Sequence, residues 1–364
     1  MLLAAPLPWI GCGRPKGTAF PGFAFVANFD GRSVAVVDLS TFACRKLIPI
    51  DGRPTGVVND PLRPAVYVLT PETGALHEIT LERMAVARRS RLASSIVSVR
   101  MAPEGNRLWI LCREPRMLAG FEAGKWQVTA RIPLPYAASD FDLSRDGRWA
   151  VVSSSERSEI ALLDLERGKV AASVEVRTKP GLVRFRSDGR VILVGSSSER
   201  LLTVVDFRQR AVATRLPLAL IPEHYAVTPD GGQVFLSGPG MDAVAIVFPY
   251  TMEVAETVLA GRGPAAMTVA LDPPYLLVTN PATNDVTILE VETRRVLGVV
   301  AVGKEPRFIA ITSDNQYALV LSQGSGDLAV IRLAAVAGKR TRQAPLFTLI
   351  PVGSRPVSLA VRQM

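Results

Sequence analysis

Chemistry in this sequence has few residues to draw on. It holds two histidines, His77 and His224, and three cysteines, Cys12, Cys44 and Cys112. No Cys-x-x-Cys, His-x-x-x-His, Gly-x-Ser-x-Gly elbow or phosphate-cradling glycine loop occurs, which removes the common zinc, haem-attachment and nucleophile-elbow arrangements. Carboxylates are the remaining candidates. Asp140, Asp142 and Glu223 could supply oxygen ligands to a hard cation, but they are dispersed along the chain, and neither a metal nor any other cofactor is expected. A second group stands out by spacing: Arg100, Asp142 and Arg184 follow one another at intervals of 42 residues. A third is basic: Arg53, Lys179, Arg262, Lys304, Arg307 and Arg355 each lie just before or just inside a short apolar run, against Asp51, Glu223 and Glu305.

The elements that must position these residues are strands. In the stretch LLVTNPATNDVTILEVETRRVLGVVAVGKEPRFIAITSDNQY, residues 276–317, four runs rich in Val, Ile and Leu are separated by Asn-Pro, Gly and Ser-Asp. Runs this short with such punctuation read as strands. The same order recurs along the chain, with an apolar run, often led by Pro, beginning near Pro54, Ile96, Ala138, Pro180, Pro222, Pro264 and Pro306 at a constant gap of 42, and again near Pro356 after a gap of 50. A fixed period of this length is the mark of a repeat architecture. We label that run strand A and its successors B, C and D. The longer last gap reflects an insertion around AGKRTRQAPL between strands C and D, and strand C is weakly marked at MLAGFE.

The repeats resemble the YVTN family of bacterial β-propellers, also called lactonase-like, in VAN at residues 26–28, VTN at 278–280, the strands SVAVVDL and DVTILEV, and the IPIDGRP and VAVGKEP segments before strand A. The resemblance covers about residues 22–362 and implies an all-β, eight-bladed β-propeller of four-stranded antiparallel blades, with seven blades as the alternative. The N-terminal strands near Ala24, Ser33 and Cys44 lack an A strand, and the C-terminal RPVSLAV is an A strand with nothing after it. Pairing them closes the ring and removes an open edge. Residues 21–364 are then one propeller domain. Its 48% hydrophobic but only 6% aromatic composition suits blades packed on both faces by aliphatic side chains. Cys44 and Cys112 fall a whole blade apart, beyond disulfide reach, and are expected to be inert buried thiols.

In such a ring strand A lines the channel, and the D–A and B–C loops share its mouth. The six basic residues with Glu223 and His224 are the expected ligand-binding set, and the six against Asp51, Glu223 and Glu305 give a mouth positive by three. Asn28, Asp30, Glu72, Arg113, Arg157, Arg200, Asn280, Asn284 and Gln323 add to it from the B–C loops. The register puts Arg100, Asp142 and Arg184 at one depth in consecutive blades, where Asp142 would accept from both guanidiniums. That triad either locks blades in register or faces a channel ligand with Asp140 and His224 one layer nearer the mouth.

The functional expectation is a non-catalytic, monomeric binding or scaffold propeller whose partner is a peptide, a glycan or an anionic ligand, since no catalytic constellation can be named. The alternative is a propeller enzyme, a lactonase-like hydrolase or an oxidoreductase-related protein, using the channel carboxylates. The haem-d propellers of bacterial nitrite reductases need axial or catalytic histidines, and only His224 stands near the mouth. A net charge of +9 permits nucleic acid, yet no aromatics interleave with the basic residues as a stacking platform. Residues 1–11, MLLAAPLPWIG, run into Cys12 and resemble the end of a lipoprotein signal. The run is too short to span a bilayer. Lipidation at Cys12, a periplasmic or envelope location with the membrane contacted only through that anchor, and unpacked residues 1–20 are the expectations; a cytoplasmic location is the alternative.

Overall fold

A computed structural model describes residues 20–336 and 344–363. Within them 32 strands form eight four-stranded antiparallel sheets. Numbered from the N-terminus, seven blades take their strands A to D consecutively. Blade 1 takes B, C and D from Gly22–Asn28, Ser33–Asp38 and Ala43–Pro49 and its inner strand A from Pro356–Gln363. The closing strand pairs from Gly22↔Gln363 to Asn28↔Pro356. The eight-blade reading therefore holds, and the seven-blade alternative falls. Two single 3-10 turns, Pro71–Thr73 and Leu333–Ala335, are the helical content among the described residues. Cys12 and the first nineteen residues lie outside the described part, as does most of the insertion, residues 337–343.

Why the strands lack clean polar alternation is visible in the packing. Side chains alternate between the two faces of a strand, and in blade 4 Val151 joins the buried cluster shared with blade 5 while Ala150 and Val152 join the one shared with blade 3. Each of the eight buried clusters among the described residues is built from two adjacent blades. Both faces are therefore wet only at the rims. The weakly marked strand C forms as Met117–Glu122. Gly120 is its key residue: a Cβ there would stand 3.2 Å from the Trp109 ring and 3.1 Å from Ala130 Cβ, so glycine leaves room for the buried indole.

Turn chemistry sets the register. At the A–B hairpins the Ser-x-Asp and Thr-x-Asp pairs close on themselves: Ser144 Oγ donates to Asp146 Oδ1 at 2.5 Å, and Thr312 Oγ1 to Asp314 Oδ1 at 2.6 Å. The Asn that ends strand B is also structural. Asn28 Nδ2 donates to the Val352 carbonyl at 2.7 Å, and Asn280 Nδ2 to Asp285 Oδ1 at 2.7 Å. In blades 2, 6 and 7 strand A begins two or three residues after the proline, at Gly56, His224 and Met267, whereas in blades 5, 8 and 1 it begins at the proline itself, Pro180, Pro306 and Pro356, the first position of a strand being one that tolerates the missing N–H.

The cysteines differ from expectation in one respect. Both are free, and Cys112 is buried with its thiol pushed up to about 12 by burial, but Cys44 is only half-buried. It sits on an outer strand whose edge has no neighbour to cover it.

His77 is fully buried on strand C of blade 2, with Nε2 3.0 Å from Thr70 Oγ1. Burial, reinforced by Arg89 and only partly opposed by Asp51, lowers its pKa below 6.5. The unfolded chain then binds the proton more readily, so stability is full above pH 6.5 and is lost as pH falls through the window below it. Urea midpoints taken from pH 7.5 down to 5 should decline, and His77→Gln should flatten that part of the decline. An unchanged slope would show that His77 does not govern it.

Candidate functional site

One cavity stands out at the channel mouth. It has a volume of about 660 Å³ and lies where D–A and B–C loops of blades 6, 7 and 8 converge. The Gly238-Pro239-Gly240 turn forms one wall; Gly240 is left-handed (φ +112°), and a Cβ on it would stand 3.1 Å from Arg200 Nε. Glu223, His224, Asp242, Glu305 and Arg307 face it. A second cavity of about 450 Å³ shares Glu305 and Arg307 with the first and adds Asp30, Gln323 and Arg355. The larger cavity is the groove; the smaller one adjoins it at Glu305 and Arg307 and runs to Arg355 at the edge of blade 1.

His224 is half-buried, and among the described residues its ring nitrogens have no hydrogen-bond partner. Burial lowers its pKa, with Arg307 adding to the effect and Glu223 opposing it. The imidazole is thus neutral at pH 7 with a free lone pair. Arg307 is exposed and spends no guanidinium donor on a protein acceptor among the described residues.

Of the expected basic set, Arg307 alone lines the larger cavity and Arg355 the smaller. Arg53 lies over the Phe29 ring at 5.3 Å, and Arg355 over the same ring at 4.8 Å. Lys179, Arg262 and Lys304 are exposed on the rim and join neither cavity. The charges are unevenly placed: most of the basic residues stand around the rim, while the larger cavity holds the carboxylates Glu223, Asp242 and Glu305 beside Arg307. Several B–C loop residues brace loops, Glu72 accepting from Arg53 N at 3.0 Å and Asn284 from Glu305 N at 2.9 Å. Arg113, Arg157 and Asn280 stay outside both cavities. Sequence reasoning missed Asp242 and Phe29. Phe29 was findable, as the aromatic that directly follows the Asn ending strand B.

Deeper in the channel, Arg100, Asp142 and Arg184 occupy one register, opposite Trp109, Val151 and Leu193 of their own B strands. The pairing differs from the expected triad. Arg184 Nη1 bonds Asp140 Oδ2, not Asp142. Arg100 Nε donates to the Phe141 carbonyl at 2.7 Å and stands 3.7 Å from Asp142, with Nη2 3.7 Å from Asp140. Asp142 Oδ2 is occupied by the Phe185 amide at 2.9 Å. A long guanidinium reaches one layer along the strand to Asp140, whose Oδ2 also accepts from the Val183 amide at 3.2 Å. Asp140 is thus the bridge between blades 3 and 5.

Each of these four side chains keeps 17–32% of its surface open to the channel, so the cluster is lumenal rather than sealed. Burial still raises the Asp142 pKa against the pull of both arginines, and lowers that of Arg100 with Arg184 repulsion added. Tyr225, under Arg184 at 5.8 Å, is pushed up to about 12 by burial and by Asp142. Glu223 stays at the mouth on blade 6, and no group of three His, Cys, Asp or Glu among the described residues is disposed to hold a metal ion.

No protein-family model matches the sequence, and no curated protein matches it. Solved structures do resemble it. The dihydro-heme d1 dehydrogenase NirN, in complex with DHE, aligns with a TM-score of 0.77 at 16% identity over 97% of this chain and 77% of that one. Kuenenia stuttgartiensis hydrazine synthase gives 0.61 at 16% over 76% and 98%, and a functionally unknown protein from Desulfotomaculum acetoxidans DSM 771 gives 0.63 at 13% over 93% and 98%. At these identities the likeness is one of fold, and the chain is an eight-bladed β-propeller similar in architecture to all three.

Proposed function

We propose that this is a YVTN-type binding propeller, exported and lipid-anchored through Cys12, which holds an organic acid at its mouth without transforming it. The reading rests on Arg307, whose unspent guanidinium is the shared wall of two adjoining cavities and suits a carboxylate or phosphate group bidentately. Glu223, Asp242 and Glu305 beside it favour a ligand that also carries hydrogen-bond donors. Precise polar groups in a concave site of this size are what fix a small ligand's orientation.

A non-catalytic role is favoured because His224, the one imidazole in the groove, has no carboxylate bonded to its ring to hold a tautomer, as a general base needs. Asp140 and Asp142 are engaged by Arg184 and by the backbone amides of Val183 and Phe185, which speaks against the channel-carboxylate enzyme. One observation favours catalysis instead: the His224 imidazole is neutral and open to the groove, and NirN, of similar fold, is a dehydrogenase in complex with DHE.

Native mass spectrometry of the protein purified from its own source decides between them. A small-molecule adduct is expected on the wild type, absent or at least tenfold weaker on Arg307→Gln. Its mass should be unchanged after prolonged incubation; a changed mass that His224→Asn prevents would establish the catalytic reading.

A further inference from the structure

We propose that Arg53 and Arg355, both stacked on Phe29, form a separate oxyanion-binding site at the seam where the ring closes. Three distant parts of the chain meet there. Phe29 follows strand B of blade 1, Arg355 directly precedes the closing strand Pro356–Gln363, and Arg53 precedes strand A of blade 2. With guanidinium carbons 5.3 and 4.8 Å from one ring centroid, the two cations are at most about 10 Å apart, the sum of those distances. Attraction to the ring face holds each of them, and among the described residues Asp30, 3.9 Å from Arg355 Nη1, is the one carboxylate paired with either.

Their donors are unspent. Neither guanidinium makes a hydrogen bond among the described residues; the Asp30 carboxylate is 3.9 Å from Arg355 Nη1, too far for one. Glu72 Oε1 is taken by the Arg53 backbone amide. Elsewhere the same side chain is satisfied: Arg45, Arg88 and Arg186 each grip a carboxylate through two nitrogens.

Arg355 is left-handed, φ +53°, immediately before a proline, as is Glu305, φ +54°, in blade 8, whereas blade 7 makes the corresponding turn with Gly263, φ +65°. Glycine would relax blade 1 as well, since the left-handed region is costly for a residue with a Cβ. Two planar forks within that span can be bridged by a doubly charged oxyanion, either a phosphate group or a dicarboxylate. Bound between them it would tie the blade 1 and blade 2 loops together across the closure.

Thermal unfolding of the full chain at fixed ionic strength tests this, with inorganic phosphate and succinate titrated separately against chloride. The wild type should show a saturable rise of about 2–4 °C with one or both; a phosphate-only response assigns a phosphate group, a succinate-only response a dicarboxylate. The part of the rise that Arg53→Gln removes should persist in Arg307→Gln, which separates this site from the groove. Arg355→Gly should fold at least as well as the wild type in chloride and lose the rise. No saturable shift with either anion, or shifts in Arg53→Gln and Arg355→Gly equal to that of the wild type, would overturn the proposal.

Discussion

Removal of residues 354–364 is expected to cost about 5 kcal/mol or more, the whole margin of an ordinary domain, and to leave an open ring that no longer unfolds in one transition. The strand lost is the inner one of blade 1, paired with Gly22–Asn28 along its length. Its loop also supplies the carbonyls of Arg355 and Ser354 to the Phe29 and Gly31 amides at 2.9 and 3.2 Å. Across the next interface Ser358 Oγ accepts from Val57 N, and the Val361 carbonyl accepts from Asn59 Nδ2 at 2.6 Å. Leu359 and Ala360, both buried, bridge the clusters on either side. Urea unfolding followed by far-ultraviolet circular dichroism measures this; a truncated chain with an unchanged midpoint would mean that the other seven blades close without it.

Asp140→Ala should be the most damaging single substitution in the channel, at about 2–3 kcal/mol, somewhat below the usual cost of breaking a fully buried pair because the cluster is open to channel water. The change strips Arg184 of its carboxylate, frees the Val183 amide, and removes the second acidic neighbour of Arg100. Asp142→Ala should cost less, since Arg184 keeps Asp140. Replacing all four charges together, Arg100→Met, Asp140→Leu, Asp142→Leu and Arg184→Met, should recover stability to within about 1 kcal/mol of the wild type, as apolar substitutes for ionic clusters do. Chemical denaturation of the three variants gives the ranking, and an Asp142→Ala loss exceeding that of Asp140→Ala would refute the assignment of Asp140 as the bridge.

The ring was legible because its information is local and repeated. Turn residues such as Ser144-Arg145-Asp146 fix each hairpin, the 42-residue period multiplies that signal, and an unpartnered terminal strand can only pair with the sheet that lacks one. The common depth of Arg100, Asp142 and Arg184 followed from the same period. Which carboxylate each arginine takes did not, because it depends on how far a flexible side chain extends along the strand and on the Phe185 amide, a competitor that no spacing reveals. The position of the cavity was not legible for a related reason. A charge sum over the D–A loops says nothing of where a groove opens, and this one opens beside the Gly238-Pro239-Gly240 turn, where Glu223, Asp242 and Glu305 surround the single guanidinium of Arg307.

The composite first blade also sets the order of events during synthesis. Strands B, C and D of blade 1 leave the ribosome first, and the strand that completes their sheet, Pro356–Gln363, leaves last of the 32. The nascent chain must carry an exposed edge on Gly22–Asn28 for almost the whole of translation, with its longest-range contact formed last, which makes folding slow and vulnerable to misassociation until that contact exists.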